Sequence, residues 1–198
     1  MVTSFFNIRL IMNNKRNKIL SLALTFFILF SSFILGTEAE RVVQIYQVQT
    51  VRNPQDINAW INLSRAYIQL ARETLDFSKY DSALVAIQQA VSLDSINVNA
   101  LNQLAKVKSA NHKFKEVISI EIEALQYSPE SAIAWGILGD AYLELGKYKE
   151  ADSCYQKMYQ LDQELYTLAR LSHLAFENGD YQKAVNLMQE AIKSGEKE

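Results

Sequence analysis

The 198-residue sequence predicts an all-α protein, an α-solenoid of helical hairpins behind an N-terminal signal or transmembrane helix. Three observations carry that prediction. Apolar and small residues recur with a period of about 34 over most of the chain, the signature of stacked structural repeats. Six glycines and two prolines suit helices and suit a turn-rich β protein badly. A stretch of 17 residues near the N-terminus, Ile19 to Leu35, carries no charge.

Residues 1–39 read as a signal peptide or signal anchor with its apolar core at 19–35. Arg9, Lys15, Arg16 and Lys18 precede the core, and no acidic residue occurs before Glu38. As a helix the core is about 26 Å long, slightly short of a hydrocarbon layer of about 30 Å. Thr37-Glu38-Ala39 has the small residues of a cleavage tripeptide, and Met12 offers an alternative start. Cleaved signal and retained anchor both stand. Either one predicts an exported protein (periplasmic, extracytoplasmic or secreted) or one anchored to a membrane by a single helix.

Residues 40–56 follow as half a repeat. Val42, Ile45, Tyr46 and Val48 make one apolar face, and Asn53-Pro54 closes the helix. Such a helix covers the open end of a stack.

Four units succeed it, at 57–97, 98–131, 132–164 and 165–198. Trp60, Leu101, Trp135 and Leu168 anchor their first helices, each with leucine at +3 (Leu63, Leu104, Leu138, Leu171). Tyr80, Phe114, Tyr148 and Tyr181 open the second helices at spacings of 34, 34 and 33. Small or branched residues follow three positions on, at Ala83, Val117, Ala151 and Ala184, where helices must approach closely. Gly146 and Gly179 stand between the helices of the last two units, where a left-handed residue ends a helix. The first unit holds seven extra residues between Tyr67 and Ala83, close to two turns, which predicts a longer hairpin turning near Asp76 to Lys79. That tip is either a contact point or a loop-length variant.

These residues resemble the tetratricopeptide repeats. The third unit carries the motif almost whole: Trp135, Leu138-Gly139, Tyr142, Gly146, Tyr148, Ala151 and Tyr155. The second keeps Leu101, Leu104, Ala105, Phe114, Ala124 and Pro129, with Lys108 where the family prefers an aromatic. The resemblance covers about residues 57 to 195. It implies antiparallel helix pairs in a right-handed superhelix whose inner surface binds peptides or proteins.

No catalytic constellation accompanies the repeats. His112 and His173 each have a single carboxylate at helical spacing, Glu116 and Glu177, and no further ligand beside them, which argues against a metal site. Cys154 is the sole cysteine, and nothing nearby in sequence supplies it with a base. No phosphate loop, GxSxG or HExxH occurs. No cofactor is expected. Residues 41–198 hold 16 Lys+Arg against 20 Asp+Glu, net −4, which disfavours nucleic acid. Tyr67, Tyr142, Phe176 and Tyr181 recur at packing positions and read as core rather than as a base-stacking platform.

The resemblance further implies a peptide groove on the outward side of each first helix. Counted from the anchors, its positions are Asn58, Ile61 and Arg65; Asn99, Asn102 and Lys106; Ile133, Asp140 and Glu144; and Tyr166 with His173. Arg65, Asn102 and Lys106 offer part of what carboxylate-clamping members of the family use, while Asp140 and Glu144 oppose an anionic tail. The row suits an extended peptide carrying charge of both signs. The expected function is a non-catalytic scaffold that binds another protein or an extended peptide. Its rival is a membrane-tethered structural subunit of an envelope complex, in which the repeats serve assembly.

Overall fold

The computed structural model describes residues 37–195, so the expected signal or anchor core at 19–35 lies outside the described residues. Among the described residues no helix is long and apolar enough to cross a membrane. Nine α-helices fill this region: α1 (Glu38–Arg52), α2 (Ile57–Thr74), α3 (Ser78–Leu93), α4 (Val98–Ala110), α5 (Phe114–Tyr127), α6 (Ala132–Glu144), α7 (Tyr148–Leu161), α8 (Leu165–Glu177) and α9 (Tyr181–Gly195).

Each helix packs on its successor, and the first helices α2, α4, α6 and α8 also touch one another in series. The result is an array of antiparallel hairpins with α1 laid against α2. Local chemistry sets the starts. Asp56, Asn97 and Ser131, each four residues before an anchor, cap α2, α4 and α6 by accepting the N–H of Ala59, Ala100 and Ala134. The indole N–H of Trp60 donates to Pro54 O and that of Trp135 to Pro129 O, both at 2.9 Å. The equal Pro-to-Trp spacing thus reflects one repeated bond at the entry of a unit.

The turns between paired helices need a left-handed residue. Gly146 (φ 70°) and Gly179 (φ 80°) supply it in the last two units, and His112 (φ 56°) and Leu75 (φ 55°) in the first two. The longer hairpin of the first unit turns at 75–77, one residue ahead of the expected place, because α3 already begins at Ser78.

Packing follows the small residues. Ala83, Ala90, Val117, Ala124, Ala151 and Ala191 are wholly buried, and Ala184 nearly so. Gly139 has a stricter reason. A Cβ there would lie inside the van der Waals envelope of the Tyr155 ring and 3.2 Å from Cys154 Cβ. The most voluminous fully buried side chain thus sits over a residue with none. Two expected packing aromatics, Phe176 and Tyr181, are instead exposed. They flank the turn of the last unit and meet only edge-to-face, with ring centroids 5.4 Å apart.

The start of α1 bears on processing. Thr37 caps it in a reciprocal box, accepting from Glu40 N while Glu40 Oε2 accepts from Thr37 N at 2.8 Å. Ala39 is buried with Val43, Leu63, Ala66, Leu70 and Ala86. The helix therefore begins two residues before the expected boundary at 40, inside the tripeptide read as a cleavage site.

Candidate functional site

The first helices line a groove of about 740 Å³. Helix α2 contributes Arg65, Ile68, Gln69 and Arg72, and α4 contributes Gln103, Lys106, Ser109 and Ala110. Ile137, Asp140, Leu143 and Glu144 come from α6, and Arg170 and His173 from α8. His112 and Phe114 close one edge. A second cavity of about 460 Å³, walled in part by Gln47, Val51, Trp60, Tyr67 and Val85, lies between α1, α2 and α3.

Of the eleven positions expected in the groove, Arg65, Lys106, Asp140, Glu144 and His173 line it. Asn58, Asn99, Ile133 and Tyr166 are exposed near the starts of their helices, outside the cavity lining. Ile61 and Asn102 require correction. They are 2% and 4% exposed, so neither presents a face to solvent. Both stand one residue after an anchor, on the side that the neighbouring hairpin covers. Ile61 packs with Ile68, Ala83, Ile87, Ala100 and Val107. Asn102 is enclosed with its Oδ1 lacking a hydrogen-bond partner.

Among the lining residues that escaped the sequence reading are Arg72, Gln103 and Arg170. Gln103 and Arg170 share a register, two residues after Leu101 and Leu168, and each reaches back to the preceding unit. Gln103 Nε2 donates to Ser64 Oγ at 3.2 Å. Arg170 holds Asp140 through both oxygens, Nε to Oδ1 at 2.8 Å and Nη2 to Oδ2 at 2.9 Å. The Tyr155 hydroxyl also donates to Asp140 Oδ1, at 2.8 Å. A polar residue two places after an anchor was the available signal. Between the second and third units that register holds Ile137, which has no donor to offer.

The electrostatics of the groove follow from those bonds. Burial works against the Arg170 charge, but the hydrogen bonds and charge of Asp140 outweigh it and hold the guanidinium above its usual pKa. Burial, and then the neighbouring Arg65 charge, pull Lys106 below its usual value. Glu121 on α5 is fully enclosed with both carboxylate oxygens unpartnered, and burial pushes it up to about 8 despite the attraction of Lys106. It is therefore mostly protonated at neutral pH. Burial, then the Glu150 charge, push the Cys154 thiol up to about 11, so it is no thiolate nucleophile. Among the described residues no group of three His, Cys, Asp or Glu side chains is placed to hold a metal ion.

A hairpin array with a polar concave groove is a helical-repeat scaffold of the kind that mediates protein–protein interaction. More particularly, the chain carries tetratricopeptide repeats, matching that family over residues 132–165 and 165–194. It is similar to the TPR repeat-containing protein MJ1428 of Methanocaldococcus jannaschii, 29% identical over 146 residues that make up 71% of this chain and 23% of that one. It is also similar to anaphase-promoting complex subunit 3 of Schizosaccharomyces pombe, 26% identical over 73% of this chain and 21% of that one. The chain thus spans less than a quarter of the length of either relative. Among solved structures, a thermophilic TPR protein of Thermus thermophilus matches with TM-score 0.73 at 16% identity, over 90% of both chains. The APC/C hetero-tetramer Cut9-Hcn1 matches with TM-score 0.70 at 21% identity, over 84% of this chain and 31% of that one. MamA matches with TM-score 0.59 at 17% identity, over 78% and 87%. At these identities the structures speak for the fold alone.

Proposed function

We propose that this chain is a membrane-tethered scaffold whose groove holds an extended segment of another protein. The observation that carries the reading is the groove itself, about 740 Å³ and walled by all four first helices. One relative is named as a subunit of the anaphase-promoting complex, which supports a role in protein assembly. A photo-crosslinking side chain at Ser109, on the groove wall, should capture the partner in cells. The same group at Glu123, exposed on α5, should not. Capture from Glu123 and never from Ser109 would move the site to the outer surface.

The tether is the apolar run Ile19 to Leu35, retained rather than removed. Loss of Thr37 and Ala39 by cleavage would delete the cap of α1 and a buried residue of its packing, at a cost on the order of 1 kcal/mol for the cap alone. The intact mass of the cellular protein should include residues 37–39, and alkaline washing should leave it in the membrane. A soluble product beginning at Glu40 would refute the tether.

A further inference from the structure

We propose that the tip of the first hairpin, Leu75 and Phe77, rests in the interface of the bilayer that holds the tether, so that the array stands on one edge. This contact depends on the reading of Ile19 to Leu35 as a retained tether. It adds the orientation that a tether alone leaves free.

Topology puts tip and tether at the same end. Helix α1 enters the turn at 53–56 after 15 residues, and α2 leaves it antiparallel for 18, so the start of α1 lies beside the end of α2. Thr37, the cap of α1, is two residues from Leu35, a reach of at most about 7 Å. A bilayer that holds the apolar run is therefore close to the tip. Helices α2, α4, α6 and α8 each begin three residues before their anchors, but α2 has 18 residues and the others 13. The end of α2 thus projects past the turns of the later units by roughly 7 Å, at 1.5 Å per residue. On this edge the first hairpin is the part that meets a surface soonest.

What projects is apolar. Leu75 is 72% and Phe77 68% exposed, and the Phe77 ring is stacked on Tyr80 with centroids 6.2 Å apart. The polar groups beside them are spent on one another. Ser78 N and Oγ donate to Asp76 Oδ1 at 3.1 and 2.6 Å, and Lys79 Nζ pairs with Asp76 Oδ2 at 3.1 Å. Polar atoms already bonded within the turn lose less on leaving water. Leu75 also holds a left-handed backbone, φ 55°, in the kind of turn where the last two units use Gly146 and Gly179. Glycine takes that conformation without strain, so leucine there exchanges ease of folding for an exposed apolar side chain.

The two edges of the array also differ in charge. Turns within units carry Lys79, Lys113 and Lys147. Turns between units, at 53–56, 94–97, 128–131 and 162–164, carry Asp56, Asp94, Glu130, Asp162 and Glu164 and no Lys or Arg. Lipid phosphates disfavour that acidic edge. Two apolar side chains bind a bilayer weakly alone, but a short tether holds them at a roughly millimolar effective concentration.

The test reconstitutes the full-length protein in phosphatidylcholine vesicles and reads quenching of tryptophan by bromine carried high on the acyl chains. The wild type supplies a control, because Trp60 and Trp135 bond Pro54 O and Pro129 O at the edge between units. Their emission should stay unquenched, whereas Phe77→Trp should add emission that is blue-shifted and mostly quenched. Leu75→Gln in the Phe77→Trp background should reduce that quenching about twofold or more. Both variants should keep the melting temperature, since both side chains are exposed. Vesicle-bound protein whose added emission is unquenched would overturn the tip contact, leave the tether standing and give the tip to a protein partner. Quenching of the wild type equal to that of Phe77→Trp would put the opposite edge on the bilayer and also overturn the contact. Protein that fails to float with the vesicles would refute the tether, and the tip contact with it.

Discussion

Asp140 on α6 and Arg170 on α8, thirty residues apart, form a two-pronged ion pair that joins the third unit to the fourth. The pair does two things at once. It ties adjacent first helices at a fixed separation, and it removes a negative charge from the groove. An acidic residue read from sequence as opposing an anionic ligand is therefore a structural joint.

The joint predicts a measurable coupling. Asp140→Asn, Arg170→Gln and the double variant should give an interaction energy of about 1 kcal/mol by denaturant unfolding, modest because both side chains are partly exposed. Additive single effects would mean that the pair contributes nothing to stability.

Glu121 predicts a pH signature. Burial raises its folded pKa to about 8 from the ordinary 4.5, so between those values the unfolded chain releases a proton that the folded chain retains. Its contribution to stability therefore declines as pH rises from about 4.5 to 8 and is level above that. By pH 7 the cost is on the order of 3 kcal/mol. Glu121→Gln should gain on the wild type progressively from pH 5 to pH 8 in thermal melts. An offset that stays constant across that range would show that Glu121 is charged and paired.

Gly139 predicts an inversion of helix propensity. Alanine is normally better in a helix than glycine by about 1 kcal/mol. Gly139→Ala should nonetheless destabilise by about 1–3 kcal/mol, because the new methyl displaces the buried Tyr155 ring. Gly139→Ala combined with Tyr155→Leu should recover part of the loss. A more stable single variant would show that the ring moves freely.

Leu75 predicts a gain. It is 72% exposed and left-handed, a conformation that costs a non-glycine residue about 1–2 kcal/mol. Leu75→Gly should raise the melting temperature by an amount equivalent to about 0.5–1 kcal/mol, after the extra chain entropy of glycine is subtracted. A fall would mean that the side chain packs.

Much of the architecture was legible in the chain because each unit repeats one solution. Trp60, Leu101, Trp135 and Leu168 mark the first helices, and the small residues near Ala83, Val117, Ala151 and Ala184 mark where helices meet. A period of that kind is local information, since every unit buries its stripe against the next in the same way. The left-handed turns were half legible. Glycine announced two of them, while Leu75 and His112 hold the same conformation without any signal in their identity.

The groove was less legible, because facing solvent is decided by what packs alongside. Ile61 and Asn102 follow their anchors by one residue and vanish under the neighbouring hairpin. Arg170 stands between Tyr166 and His173, about one helical turn from each position judged to be wall, and proves to be the partner of Asp140. Sequence by itself determined the hairpins, their period, the anchors and the basic-to-acidic order of the face. Only the tertiary structure decided which charges are spent and which are free, because an ion pair spanning thirty residues and the burial of Glu121 arise from the stacking of one unit on another.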